Sequence, residues 1–167
     1  MAIRTILHYP DPRLRQKAQP VTTVTPEIAK LIDDMAETMY AAPGVGLAAT
    51  QIGEPHRVFI VDIAAEDEPS NLMVFINPEI VKTDGSQTEA EGCLSFPGVT
   101  EDIKRAAKVS VRAMDRSGKQ FELEAEGLLA VAVQHELDHL DGVLMIDRVG
   151  MLKKRIIQRK MSKRAEA

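Results

Sequence analysis

The chain has 167 residues, of which 44% are hydrophobic and 28% charged, with no Trp and a single Cys. That length fits one domain with enough interior to fold unaided, the composition excludes a disordered chain, and the lone Cys93 excludes an internal disulfide and suits a reducing compartment. The formal charge of −4 is unevenly spread: residues 153–167 hold seven basic side chains against Glu166, a net +6, and the remainder holds 14 basic and 24 acidic groups, a net −10. The expected organisation is a single domain over 1–167, with 151–167 a basic C-terminal helix or tail that has its own partner.

The first residues, MAIRTILHYPDPRLRQK, contain no long apolar run and no small-residue cleavage site, so they read as neither signal nor transit peptide. No stretch approaches the length of a membrane span. The cytoplasm is the expected location. Residues 1–24 read as irregular, with Pro10, Pro12 and Pro20 as breakers. Thr25-Pro26-Glu27 is a helix start, and Ile28, Leu31, Ile32, Met35 and Met39 follow at helical spacing until Pro43. Gly44 and Gly46 make a turn.

Residues 57–63 and 72–76 are short runs rich in Val, Ile and Phe and predict strands, joined by an acidic loop over 64–71. Residues 108–114 and 120–125 alternate apolar and polar, with Asp115 to Lys119 as the hairpin between them. A second helix spans 127–140, closed by Gly142, and a third runs from about Met151 to Arg164. Strands grouped between helices predict an α+β fold, with a mostly antiparallel sheet packed around the 127–140 helix and N- and C-terminal helices beside it.

The second helix carries His135-Glu136-Leu137-Asp138-His139. Positions i and i+4 share a helix face, so the two imidazoles can grip one metal ion, and Glu136 can take a proton from an activated water. A catalytic site of this kind needs a third protein ligand and an open position. Metzincin-type proteases place a His three residues past a glycine, but after Gly142 that position is Met145. Thermolysin-like proteases use a downstream Glu, and the only one here is Glu166, in the basic tail. Of the other histidines, neither His8 nor His56 has a promising context. That leaves Cys93, in Glu91-Gly92-Cys93-Leu94-Ser95, where a neighbouring Gly lets backbone come close.

Three blocks, Gly44-Val45-Gly46-Leu47-Ala48-Ala49-Thr50-Gln51, Glu91-Gly92-Cys93-Leu94-Ser95 and Gln134-His135-Glu136-Leu137-Asp138-His139, resemble the peptide deformylase family in residues, order and spacing. The resemblance covers nearly the whole chain. It implies a metal-dependent hydrolase that removes the N-formyl group from the initiator methionine of new polypeptides and releases formate. It carries over Cys93, His135 and His139 as ligands of one divalent ion, Fe²⁺ in the native enzyme, with Zn²⁺, Ni²⁺ or Co²⁺ able to replace it. Glu136 becomes the proton shuttle, and the Gln51 amide and Leu94 N–H become oxyanion donors. Gly44, Val45, Gly46, Leu128, Val131 and Ala132 are the implied substrate contacts, and Glu91 pairs with Arg105 to steady the Cys-bearing loop. Some family members carry Arg where Thr100 stands here.

The same resemblance implies N-formylmethionyl peptides and nascent chains as substrates and a ribosome contact through the basic C-terminal helix, with no membrane. Two other readings compete with it. A zinc endopeptidase shares the helix motif but requires a His or Glu as third ligand. A non-catalytic RNA-binding module would rest on the basic tail alone.

Overall fold

The computed structural model describes residues 2–166. In chain order its strands are β1 (Gly46–Ala48), β2 (Val58–Val61), β3 (Met73–Asp84), β4 (Gln87–Gly92), β5 (Thr100–Arg105), β6 (Lys108–Met114) and β7 (Gln120–Glu126). Helix α1 (Pro26–Ala41) precedes them, and α2 (Gly127–Leu140) and α3 (Met151–Glu166) follow. Strands β1-β2-β3-β6-β7 form one antiparallel sheet in that order, and β4-β5 form a separate two-stranded ribbon.

Helix α1 starts where the Thr25 hydroxyl accepts a hydrogen bond from the Ile28 N–H, with Pro26 in the first turn. Its buried face, including Leu31, Ile32, Met35 and Met39, packs on Val58 and Ile60 of β2. The alternate residues of β2, Phe59 and Val61, point the other way into a second cluster with Ala130, Val133 and Leu140 of α2. Successive side chains of a strand face opposite sides of a sheet. A four-residue strand buried at every position therefore places the sheet between α1 and α2.

The Ala130, Val133, Leu137 and Leu140 face of α2 lies on the sheet. Residues Leu128, Val131, His135 and His139 belong to its other side, which is thereby left to build a site, with Ala132 touching both the core and that side. A third cluster joins Ile157 and Met161 of α3 to Phe96, Val99 and Ile103, so the basic helix is seated on the core by its apolar face.

Three features depart from the expected strands. Gly46, read with Gly44 as a turn, opens β1 because its backbone pairs with Val61 of β2. Strand β3 continues eight residues past Ile76 to Asp84, through a kink where Asn77 takes φ +53° and its side chain bonds both the N–H and the C=O of Val21. The β4–β5 ribbon was not expected at all. Its sequences QTEAEG and TEDIKR lack apolar alternation because most of its side chains face solvent, with Glu91, Ile103 and Arg105 buried. This ribbon delivers Glu91 and Cys93 to α2.

Candidate metal centre and active site

The ligand atoms of Cys93, His135 and His139 lie within 4.8 Å of one another. The Cys93 Sγ is 3.3 Å from His139 Nε2, close to the ~3.6 Å expected for a thiolate and an imidazole on one tetrahedral ion. The His135 Nδ1 is 2.9 Å from the Glu91 carboxylate, which leaves Nε2 for the centre. Met145 is buried with Leu144 and Ile146 in the third core cluster and takes no part.

Glu91 is itself gripped by Arg105, whose Nε and Nη2 donate to its two oxygens at 2.6 and 3.0 Å. Arg105 Nη1 donates to Asp138 at 3.0 Å. Beneath the helix end, the Thr50 hydroxyl donates to the His139 carbonyl at 3.2 Å.

Gln51 is 1% exposed. Its Oε1 accepts from the Ala48 N–H at 3.0 Å, which fixes the amide so that Nε2 faces Ser95 Oγ at 3.0 Å and Cys93 Sγ at 3.7 Å. A donor group is thus held beside Cys93. The Leu94 side chain packs against Gly44 across the cleft. A cavity of about 400 Å³ is lined by Gly44, Gly46, Gln51, Cys93, Leu94, His135 and Glu136. Beside it a smaller one of about 130 Å³ is lined by Val45, Leu128, Val131 and Ala132, and shares His135 and Glu136. Val131 and Ala132 are buried, whereas Val45 and Leu128 are half exposed at the mouth. Thr100 lines the larger cavity.

Burial raises the Glu136 carboxyl to about 7, with nearby Glu91 and Asp138 adding to the shift against the attraction of His135 and Arg105. An acid poised there can both take and give a proton at neutral pH. Burial disfavours charge on the imidazoles. At His135 the Glu136, Cys93 and Glu91 groups outweigh it and lift the pKa well above the usual value. At His139 burial, the His135 charge and Arg105 all act downward and hold the pKa well below the usual value.

Among the described residues, three buried side-chain atoms have no hydrogen-bond partner: Glu136 Oε1 and His139 Nδ1 at this site, and Glu37 Oε2 on α1. A buried carboxylate oxygen without a donor is costly. A donor set of one thiol and two imidazoles beside such an oxygen fits a divalent cation with a water next to it.

The family model for polypeptide deformylase matches residues 3–155. The chain belongs to the polypeptide deformylase family. A peptide deformylase of Alkalilimnicola ehrlichii is 55% identical over 163 residues, covering 98% of this chain and 91% of that one. The crystal structure of a Legionella pneumophila peptide deformylase superposes with a TM-score of 0.92 at 47% identity, covering 99% and 96% of the two chains. That of Ehrlichia chaffeensis in complex with actinonin superposes at 0.95 with 34% identity over the full length of both. This deformylase is thus a metal-dependent hydrolase acting on formylated nascent peptides.

Three residues of the deformylase site carry contacts that the sequence reading assigned no role. Ser95, fully buried, accepts from Gln51, and its signal was its place in the Glu91–Ser95 block. Asp138, inside the helix motif, receives both Arg105 and Arg148. For Arg148 no sequence signal exists, because its partner lies ten residues back across a turn.

Proposed function

We propose that the deformylation runs at a centre ligated by Cys93, His135 and His139, with Glu136 as the proton shuttle and Gln51 and Leu94 as oxyanion donors. The observation that carries this reading is the convergence of the three ligand atoms beside the orphaned Glu136 Oε1. When bound, the ion supplies Lewis-acid chemistry that makes water a competent nucleophile at neutral pH. Glu136 Oε1 takes the proton of the attacking water and returns it to the methionyl nitrogen as formate leaves. The Gln51 Nε2 and the Leu94 N–H steady the oxygen that becomes negative. Leu128, Val131, Ala132 and Val45 surround the unbranched methionine side chain, and Gly44 and Gly46 let extended substrate backbone approach β1 as an added strand. Glu91 and Arg105 hold His135 in its ligating tautomer.

We assign Fe²⁺ as the native ion, with Zn²⁺, Ni²⁺ or Co²⁺ as substitutes for the same ligands. The experiment is anaerobic purification, metal analysis and an assay for formate released from formyl-Met peptides. Iron at one equivalent with air-labile formate release is expected. Cleavage of internal peptide bonds without formate would favour the endopeptidase reading and refute this one.

We place the chain in the cytoplasm as a single catalytic domain; among the described residues no helix is long and apolar enough to cross a membrane. The ribosome contact is assigned to α3, whose Arg155, Arg159, Lys163 and Arg164 make no ion pair among the described residues. Truncation before α3 would strip Ile157 and Met161 from the core, so charge reversal of those four residues is the cleaner test. It should abolish salt-dependent ribosome binding and leave formate release intact; undiminished binding removes the contact.

A further inference from the structure

We propose that Arg148 and Asp138 are positioning residues for the metal centre, the outer half of an alternating line of charge that holds His135 in its ligating orientation. The line rests on the metal reading above and extends it to a residue outside the motif. It runs from His135 Nδ1 to Glu91, from Glu91 to Arg105, from Arg105 Nη1 to Asp138 Oδ2, and from Asp138 to Arg148. Arg148 Nε donates to Oδ2 at 3.1 Å and its Nη2 to Oδ1 at 2.7 Å, a fork that matches the carboxylate in shape. Side-chain exposure falls inward, from 45% at Arg148 to 16% at Asp138 and 4% at Arg105 and Glu91.

Each outer member answers a need of the one inside it. Two nitrogens of the buried Arg105 are occupied by Glu91, and Asp138 gives the third its acceptor, which fixes the plane of the guanidinium. Asp138 also brings a second carboxylate that competes with Glu91 for Arg105. Arg148 neutralises that carboxylate, so Arg105 stays on Glu91 and Glu91 stays on His135. The four residues come from β4, β5, α2 and the segment before α3, so the line also ties the ribbon that carries Cys93 to the helix that carries both His ligands. Arg148 opens on a cavity of about 370 Å³ on the far side of Arg105, away from the catalytic cleft, and therefore acts only through Asp138.

The test uses the full chain loaded with Zn²⁺. Zinc loss to an excess of chelator is followed at fixed pH, and the His135 Nδ1–H is followed by NMR. Arg148→Gln should speed zinc loss by about 3–10-fold, below the roughly 10–100-fold typical of a direct partner of a ligand. The His135 Nδ1–H resonance should move upfield as its hydrogen bond weakens, and Arg148→Lys should bring both readouts back toward wild type. Arg15→Gln cuts a different tie of the same segment, the Arg15–Asp147 pair; it should lower Tm and leave zinc loss and the resonance unchanged. Unchanged zinc loss in Arg148→Gln, or an equal effect of Arg15→Gln, overturns the proposal while the metal reading stands. A wild-type chain that retains no zinc overturns both.

Discussion

Gly46→Ala isolates the position of Glu136 from its chemistry. A Cβ at Gly46 would lie 2.6 Å from Glu136 Oε2, 3.0 Å from its Cδ and 3.1 Å from its Cγ. Ordinary contact begins near 3.4 Å, so the carboxylate must retreat by about 0.8 Å. Gly46 does not occupy a left-handed backbone conformation, and its Cβ meets only a flexible side chain, so the fold can absorb the change. Misplacing a reacting group by about 1 Å costs on the order of 10²-fold. We expect kcat to fall about 10–100-fold, or about 1.4–2.7 kcal/mol of barrier, with metal content unchanged and Tm nearly so. The assay is formate release at saturating formyl-Met peptide, run beside metal analysis and a thermal melt. Gly150→Ala is the control, because its Cβ would meet nothing within 4 Å and the residue lies outside the cleft. An unaltered kcat in Gly46→Ala would refute the placement of Glu136 as the proton shuttle.

Three further outcomes are expected. Gln51→Ala should lower turnover by about 10²–10³ while metal content stays intact, and near-normal turnover would remove Gln51 from the oxyanion hole. Asp34 is buried and accepts from Lys30, Arg4 and the Ala2 N–H, with Lys30 foremost in holding its pKa well below the usual carboxylate range. A depressed folded pKa stabilises above the unfolded value near ~4 and that stability drains away as pH falls toward the folded one. Asp34→Asn should therefore lower Tm at neutral pH and flatten its decline on acidification; parallel Tm–pH curves would contradict this. Gly142→Ala should destabilise by more than the ~1–2 kcal/mol of a left-handed non-Gly residue, since φ is +75° and its Cβ would lie 2.5 Å from the Arg15 carbonyl oxygen. A melt within a degree of wild type would show that the loop gives way.

The sequence made legible those elements whose signals are local. Helix α1 follows from its Thr25 cap and apolar spacing, and α2 from LLAVAV before the motif. Strands β6 and β7 follow from alternation, since each turns one apolar face inward, buried in β6 and partly buried in β7. The β4–β5 ribbon was not legible, because its residues QTEAEG and TEDIKR are chosen by backbone pairing and a few buried contacts rather than by a hydrophobic face. The second half of β3 was hidden for the same reason, behind Asn77 and Pro78.

At the site the sequence by itself picked out the proposed reactive groups. Helix periodicity alone puts His135 and His139 on one face with Glu136 beside the first, and Cys93 is the remaining soft donor. Only the tertiary structure decided how they meet. The ribbon carries Cys93 to within 3.3 Å of His139, the Ala48 N–H orients the Gln51 amide, and Gly46 clears room for Glu136. Asp138 and Arg148 close the charge line behind the ligands. These contacts join residues from separate elements, and a linear pattern holds no signal for a distance set by how a ribbon, a helix and a sheet edge pack.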